Sequence, residues 1–262
     1  MASSLIGGLI ADGIAAKGIS VVEIDDAKRQ QLSQRFSIQV YGSVGEALPN
    51  ADVVVFCVKP QQFQEAAQAS AESLKQSQPL VISIAAGIRT NDISKWLGGS
   101  YAIVRAMSNT PALVQTGATV LFATDNVSEQ QRNEAESLLR AVGIVEWIDD
   151  ETLMDVVTAL SGSGPAYFFR IMEGLVKAAE QLGLSREIAH LLTIQTALGA
   201  AKMALESDED IATLRDNVTS PGGTTEQGLK VMNDNNIDAL LLDILKAAKQ
   251  RANELADQLG GK

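Results

Sequence analysis

Short apolar runs alternate with longer amphipathic stretches along the first half of the chain. Six runs are rich in β-branched residues and have the length of strands; they span 19–24, 52–58, 80–85, 101–106, 118–123 and 144–148. Between them, the stretches 26–36, 61–74 and 128–142 repeat apolar residues at helical spacing. Because strands that alternate with helices form parallel sheets covered on both faces, this pattern predicts a doubly wound α/β domain.

The pattern changes to helical spacing throughout after Asp149, Asp150 and Glu151. Apolar stripes recur from Leu153 to the end of the chain, and Gly183 and Ser185 mark the end of one helix and the start of the next. We therefore expect an all-helical domain over 151–262 after an α/β domain over 1–150. Since these stripes exceed what a small isolated core can bury, we expect the helices to pair with a second subunit.

The overall charge limits the classes of partner. The chain has 262 residues, and 21 Lys and Arg against 32 Asp and Glu give a formal net charge of −11. Such a charge repels phosphate backbones and anionic lipid surfaces, which argues against a nucleic-acid or membrane partner. A small molecule or another protein is the expected partner. The apolar segment 5–10 has no basic residue before it and is too short to cross a bilayer, so it predicts a packed helix in a cytoplasmic protein.

Cysteine and histidine are nearly absent from the chain. Cys57 is the single cysteine, which excludes an internal disulfide, and it lies in an apolar run typical of a buried strand. His190 is the only histidine and lies among apolar residues of a predicted helix, where a structural role is favoured over a catalytic one. We therefore expect no metal site.

Unusual residues follow three of the predicted strands directly. They are Val58, Lys59 and Pro60 after the second run, Ala86 after the third, and Asn109 after the fourth. Each segment alone is consistent with ordinary turn chemistry. Because ligands of doubly wound sheets bind beyond the carboxyl ends of the strands, the three together predict a cofactor cleft.

Glu23 lies near the end of the first predicted strand. A carboxylate at this place in a nucleotide-binding sheet accepts hydrogen bonds from a ribose. A solvated strand end explains the residue equally well, and both interpretations stay open.

The segment 216–228 contains the parts of an anion-binding helix N-terminus. Pro221 favours a turn, and Gly222 and Gly223 permit backbone angles that other residues resist. We expect Thr224 to cap the following helix, with Gln227 completing a capping box and several backbone amides pointing at a small carboxylate. An ordinary turn before a capped helix is the alternative. The crowding of Ser220, Thr224 and Thr225 around the same amides, when a cap needs one hydroxyl, favours a binding site.

Four motifs, taken in order, resemble those of pyrroline-5-carboxylate reductases. They are Val58-Lys59-Pro60-Gln61, Ser108-Asn109-Thr110-Pro111, Ser161-Gly162-Ser163-Gly164-Pro165-Ala166-Tyr167 and the stretch from Ser220 to Thr225. The resemblance implies a Rossmann-type domain followed by a helical dimerisation domain. It also implies reduction of 1-pyrroline-5-carboxylate to L-proline with NADPH, or with NADH, in a homodimer that can assemble further, up to a decamer of dimers.

The resemblance also implies roles for single residues. Ser220, Gly223, Thr224 and Thr225 would grip the substrate carboxylate, and Thr225 would lie near the ring nitrogen as a catalytic hydrogen-bond partner or proton relay. A threonine hydroxyl is a weak acid, so water is the alternative proton donor. Val58, Lys59, Pro60, Ala86, Asn109 and Glu23 would contribute to the cofactor site.

The chain departs from the family pattern at two places. The family opens with a strand and a Gly-x-Gly-Asn loop before the helix that begins here near Met1, and loss of that strand would leave its two neighbours without backbone partners. Either the start lies upstream, or the chain is a truncated, catalytically impaired form that still dimerises. The acidic stretch Glu23 to Asp26 also leaves NADH use open. A related NAD(P)-dependent imine or hydroxyacid reductase is a further alternative.

Overall fold

Strands and helices alternate through the first half of the chain as predicted. The computed structural model describes residues 1–48 and 51–261. The strands of these residues are β1 Ser20–Val22, β2 Gln39–Tyr41, β3 Val53–Phe56, β4 Leu80–Ser83, β5 Ile103–Met107, β6 Gly117–Ala123 and β7 Gly143–Trp147. The helices of this half are α1 Ala2–Ala11, which precedes β1, and, between the strands, α2 Asp26–Phe36, α3 Val44–Ala47, α4 Pro60–Ser77, α5 Thr90–Leu97 and α6 Glu129–Arg140. Strand β2 lies outside the six predicted runs.

The larger sheet has the order β3-β4-β5-β6-β7. Its pairs are parallel except β5 with β6, which is antiparallel. The predicted parallel sheet is therefore mostly parallel, with one antiparallel pair that the sequence pattern did not predict. The segment between β5 and β6 contains only a short 3-10 helix, Thr110–Val114, and a connection this short returns a strand antiparallel because a parallel crossover needs a dozen or more residues.

Strands β1 and β2 form a separate parallel pair. In the ladders of the described residues, β1 pairs only with β2 and β3 only with β4, so each has one unpaired edge. Val53, Val54 and Val55 of β3 are half-buried, whereas every residue of β4 is buried. An apolar strand with one free edge leaves the edge side of its residues accessible.

Two cores cover opposite faces of the larger sheet. Leu5 and Leu9 of α1 pack with Leu80 and Ile82 of β4 on one face. Phe63 and Leu74 of α4 pack with the alternate β4 residue Val81 on the other. Successive side chains of a strand point to opposite faces, so β4 contributes to both cores. The predicted doubly wound architecture and the packed N-terminal helix are confirmed.

The second half of the chain is helical. Its helices are α7 Met154–Val157, α8 Gly164–Gln181, α9 Arg186–Glu206, α10 Ile211–Asn217, α11 Thr224–Asp234 and α12 Ile237–Leu259, and one turn of π-helix over Thr158–Gly162 precedes α8. Gly183 follows α8 with a φ of 100°, and Ser185 caps α9 by accepting a hydrogen bond from the Ile188 amide, both as predicted.

The chain divides into two compact units. The first comprises Met1–Ser163 and the chain from Ala247 onward, and the second is Gly164–Lys246. Helix α12 therefore contributes its first turns to the second unit and its last turns to the first. The division into domains at residue 150 stays a prediction.

Candidate active site

Strands β3, β4 and β5 run parallel, so their carboxyl ends lie at one edge of the larger sheet. Val58, Lys59 and Pro60 follow β3, Ala86 follows β4, and Asn109 follows β5. The structure thus brings five of the six predicted cofactor residues to one edge. Open α/β sheets bind their ligands at this edge.

The residues after β3 lead directly into α4. Lys59 is the N-cap residue without a side-chain cap, and Pro60 is the first helical residue, where its missing N–H removes no helical hydrogen bond. The first amides of α4 therefore begin at the same sheet edge and lack partners within the helix. Cys57, which the sequence places inside the strand, lies one residue beyond β3 and is half-buried. Desolvation raises the pKa of its thiol to about 11.

Gly87 follows Ala86 in a left-handed backbone conformation, with a φ of 75°. A Cβ atom at this position would lie 3.6 Å from the Ala256 nitrogen and 3.5 Å from Leu259 Cδ1. The left-handed backbone favours glycine in the turn after β4, and the last turns of α12 lie at ordinary van der Waals distance from this position. Arg89 stabilises this contact further, since its Nη1 donates to Asp257 Oδ1 at 2.7 Å.

Asn109 is hydrogen-bonded on both sides of its amide. Its Oδ1 accepts from the Ala118 amide at 2.9 Å, and its Nδ2 donates to the Ser161 carbonyl at 3.1 Å. The neighbouring Ser108 hydroxyl accepts from Thr119 Oγ1 at 2.9 Å. The end of β5 is therefore tied both to β6 and to the π-helical turn over Thr158–Gly162.

Glu23 lies apart from these residues, at the end of β1 in the two-stranded sheet. Its Oε1 accepts from the Asp25 amide at 3.0 Å, and its backbone carbonyl accepts from Arg29 Nη1 at 2.7 Å. Arg29 also forms an ion pair with Asp26. The carboxylates of Glu23, Asp25 and Asp26 therefore outnumber the cations of Lys28 and Arg29 at this strand end.

The predicted carboxylate site, called the cradle below, consists of Ser220, Gly223, Thr224 and Thr225. It lies in the second unit, around the start of α11. Gly222 adopts a φ of 72°, and the Gly223 amide donates to the Ser220 carbonyl at 3.0 Å. Ser220, Thr224 and Thr225 are exposed, and Gly223 is half-buried. The first-turn amides of α11 start beside these hydroxyls and have no helical partners, as an anion site requires.

The predicted cap of α11 is wrong. Gly223, and not Thr224, is the N-cap residue, and no side chain caps the helix there. Because the helix starts one residue earlier than predicted, its third position is Glu226 instead of Gln227. Glu226 Oε2 reaches back to accept from the Gly222 amide at 2.9 Å, so the acidic side chain replaces the predicted capping box. The Thr224 and Thr225 hydroxyls are left for other contacts.

Gly223 has a steric role that its position in a turn does not reveal. A Cβ atom at residue 223 would lie 2.6 Å from Ser220 Oγ and 2.9 Å from the Ser220 carbonyl oxygen. Both distances are shorter than carbon and oxygen atoms tolerate, so a side chain here would displace Ser220. Glycine is required to keep Ser220 against the start of α11.

A buried ion pair in the first unit was missed by the sequence analysis. Arg105 of β5 is 4% exposed, and its Nη1 lies 3.0 Å from Glu151 Oε1. Glu151 also accepts from the amide and hydroxyl of Thr90, the first residue of α5. The available signal was an arginine inside the apolar run 101–106, because a buried charge requires a partner.

Metal ligands are not clustered in the part of the chain that the structure describes. Residues 1–48 and 51–261 contain no group of three or more His, Cys, Asp and Glu side chains that could hold an ion.

Two family models match the chain in succession. Residues 1–87 match the coenzyme F420-dependent NADP oxidoreductase family, and residues 151–255 match the pyrroline-5-carboxylate reductase dimerisation family. The first match covers β1 to β4, and the second covers the helices that include the cradle. The confirmed architecture is therefore an NADP-oxidoreductase-type sheet followed by a dimerisation domain.

Known proteins resemble the chain over nearly its whole length. The pyrroline-5-carboxylate reductase of Pseudomonas aeruginosa is 51% identical over 99% of this chain and 95% of the relative. The structure of a pyrroline-5-carboxylate reductase from Coxiella burnetii superposes with a TM-score of 0.94 at 47% identity, over 97% of this chain and 94% of that one. The Plasmodium falciparum pyrroline carboxylate reductase with NADP bound superposes with a TM-score of 0.83 at 28% identity, over 97% and 94%. With identity this high across both units, the chain belongs to the pyrroline-5-carboxylate reductase family.

Proposed function

We propose that the protein reduces 1-pyrroline-5-carboxylate to L-proline with a nicotinamide cofactor, as the last step of proline biosynthesis. The observation that carries the proposal is the 51% identity to a pyrroline-5-carboxylate reductase over 99% of the chain, which includes both the sheet edge and the cradle. Oxidation of NADPH and NADH, followed by absorbance with 1-pyrroline-5-carboxylate as substrate, tests it. Absence of turnover with both cofactors would refute it.

The chain's own residues supply binding and orientation for this reaction. The cofactor, when bound, supplies the hydride for the imine carbon. Ser220, Gly223, Thr224 and Thr225 hold the substrate carboxylate through the free amides and hydroxyls at the start of α11. The Thr225 hydroxyl, or a water molecule bound to it, provides the proton for the ring nitrogen. Exposure of Thr224 and Thr225, and the lack of a side-chain cap at this helix, support these roles.

The arrangement of residues at the sheet edge supports a dinucleotide site there. Val58, Lys59, Pro60 and Ala86 border the edge together with the first amides of α4, and Asn109 stands at its border next to β5. We place NADPH there, with NADH as a second cofactor, and Glu23 beside the adenosine ribose. The local excess of carboxylates around Glu23 opposes a 2′-phosphate and supports use of NADH as well.

The exposed apolar surface of the second unit supports assembly into homodimers. Large apolar side chains of α8 and α9 are exposed in the single chain, including Phe168 at 64% and Leu191 at 66%. Helix α9 is long and apolar enough to cross a membrane by length and composition alone. We assign its apolar surface to a second copy of the chain, because residues 151–255 match a dimerisation family. We propose that the homodimer assembles into larger rings, up to a decamer of dimers, and that it is cytoplasmic. A measurement of the molar mass in solution tests the assembly.

A second candidate is a chain that dimerises without efficient catalysis. The separation of β1 and β2 from the larger sheet supports it, because β1 and β3 each have one unpaired edge among the described ladders. Titration of the chain with NADPH and NADH distinguishes the two candidates. Tight binding supports the reductase, and absence of binding by a folded dimer supports the impaired form.

A further inference from the structure

The carbonyl of Ser161 lacks the partner that a regular helix would supply. In an α-helix this oxygen would accept from the amide of residue 165, but residue 165 is proline and has no N–H. The backbone widens here into the π-helical turn, in which the Ser163 amide donates to the Thr158 carbonyl at 2.9 Å. Single π-helical turns inside helices recur at functional sites.

Asn109 supplies a donor to this carbonyl from the end of β5. Its Nδ2 lies 3.1 Å from the Ser161 oxygen, while its Oδ1 is held by the Ala118 amide of β6 at 2.9 Å. The second contact fixes the orientation of the amide, so that the NH₂ group faces Ser161. Met107, two residues before Asn109, packs on the same turn, because a Cβ atom at Gly162 would lie 2.3 Å from Met107 Cε.

We propose that Asn109 is a positioning residue for imine reduction. Asn109 gives the Ser161 carbonyl the hydrogen-bond donor that Pro165 lacks, and it thereby holds the π-helical turn of residues 158–162 against the end of β5. The inference rests on the proposed function and deepens it. Asn109 stands at the border of the cofactor edge but acts through Ser161, so its loss affects turnover and leaves cofactor affinity intact. The role differs from the direct cofactor contact expected from the sequence.

Two substitutions separate the two halves of the amide. Asn109→Ala removes both hydrogen bonds, whereas Asn109→Asp keeps an acceptor for the Ala118 amide and places a carboxylate against the Ser161 carbonyl. Both variants should lower kcat by roughly tenfold, the effect of one lost hydrogen bond on a reacting geometry, with cofactor Kd within about twofold of wild type. The matched control is Asn126→Asp, since the exposed Asn126 accepts from Thr124 Oγ1 through its Oδ1 at 2.7 Å, and aspartate keeps that acceptor. This control should keep wild-type kcat.

Pro165→Ala provides a rescue. It restores an amide that can donate to the Ser161 carbonyl, so Asn109→Ala should lower kcat less than about twofold in the Pro165→Ala background. If Pro165→Ala is itself inactive, urea unfolding of wild type, Asn109→Ala, Pro165→Ala and the double variant measures the coupling instead. The midpoint shifts of the two single variants should then not add up to the shift of the double variant.

Opposite outcomes would overturn the proposal. A tenfold rise in cofactor Kd with unchanged kcat would make Asn109 a direct cofactor ligand, and an Asn109→Asp variant with wild-type kcat would remove the role of the Ser161 contact. If wild-type protein shows no turnover, the proposed function fails by itself. Additive urea midpoints would then overturn the Asn109–Pro165 coupling separately.

Discussion

Arg105 Nη1 lies 3.0 Å from Glu151 Oε1, and this ion pair joins the middle of the larger sheet to the start of the helical half. Arg105 is 4% exposed on β5, and Glu151 begins the short 3-10 helix before α7. Glu151 also accepts from both the amide and the hydroxyl of Thr90. The Glu151 carboxylate thus neutralises the buried Arg105 guanidinium and also accepts a hydrogen bond from the first amide of α5.

Glu151→Ala should strongly destabilise the protein. It leaves the buried Arg105 guanidinium without a counter-charge, which costs about 3–5 kcal/mol in the free energy of unfolding. Urea unfolding followed by circular dichroism measures the loss. Glu254→Ala is the matched control, because Glu254 pairs with Arg251 on the surface, and its midpoint should equal that of wild type. Equal midpoints for the two variants would contradict the role of the ion pair.

Gly223→Ala should weaken substrate binding. The added Cβ atom would lie 2.6 Å from Ser220 Oγ and 2.9 Å from the Ser220 carbonyl oxygen, so Ser220 must shift from its position at the start of α11. We expect KM for 1-pyrroline-5-carboxylate to rise by roughly tenfold or more, as for loss of at least one hydrogen bond to a charged group. Initial rates at saturating cofactor provide the measurement.

Gly228→Ala is the control for that substitution within the same helix. A Cβ atom at residue 228 would have, apart from its chain neighbours and the nearby backbone of its own helix, no described atom within 4 Å, and the residue lies inside α11. Alanine should therefore raise the free energy of unfolding by about 0.5–1 kcal/mol and leave KM unchanged. A KM increase equal to that of Gly223→Ala would show that α11 tolerates no change, and not that Gly223 has a specific role.

Thr225→Ala should lower turnover far more than stability. Thr225 is exposed, and no side chain caps α11, so removal of its hydroxyl breaks no structural hydrogen bond among the described residues. We expect kcat to fall by about 10²-fold, within the usual range for a proton-transfer group, with the urea midpoint unchanged. Thr219→Ala is the comparison, since the Thr219 hydroxyl donates to the Arg215 carbonyl at 2.7 Å and Thr219 is not one of the cradle residues. Equal losses of kcat in both variants would exclude a special role for Thr225.

Glu23→Gln should shift cofactor choice toward NADPH. The substitution removes one negative charge but keeps an oxygen that can accept from the Asp25 amide. Two unit charges 4 Å apart in water interact by about 1 kcal/mol, so the NADPH to NADH ratio of kcat/KM should rise about fivefold. Glu46→Gln, an exposed carboxylate bonded to Ser43, should leave the ratio unchanged. An unaltered ratio in Glu23→Gln would remove Glu23 from the cofactor site.

Cys57 should react slowly with thiol reagents at neutral pH. Burial raises the pKa of its thiol from 9.0 to about 11, and only the thiolate is nucleophilic. Iodoacetamide labelling of the folded protein should accelerate up to pH 11, whereas the unfolded chain should already react rapidly at pH 9. The Cys57 thiol stays protonated to a higher pH in the folded chain than in the unfolded chain. The contribution of this thiol to the free energy of unfolding is therefore present below pH 9 and is lost as the pH rises to 11. Equal labelling of folded and unfolded protein at pH 9 would contradict the shift.

Several local features were predictable because neighbouring residues alone decide them. Helix α2 has the predicted bounds, Ser185 caps α9, and Gly183 ends the preceding helix segment, each through contacts a few residues apart. The cap of α11 was mispredicted by one residue. Gly222 and Gly223 allow more than one helix start, and the contact of Glu226 with the Gly222 amide accompanies the observed one.

The sequence by itself determined the alternation of strands and helices, the change to helices after residue 150 and the motifs that identify the family, because these depend on periodicity and local chemistry. Tertiary structure decided the antiparallel return of β6, the separate pairing of β1 with β2, and the partners of buried polar groups such as Arg105 and Asn109. Arg105 lies 46 residues from Glu151, and Asn109 lies 52 residues from Ser161. Pairings at such separations follow from the packing of the sheet against its helices, which no local pattern encodes.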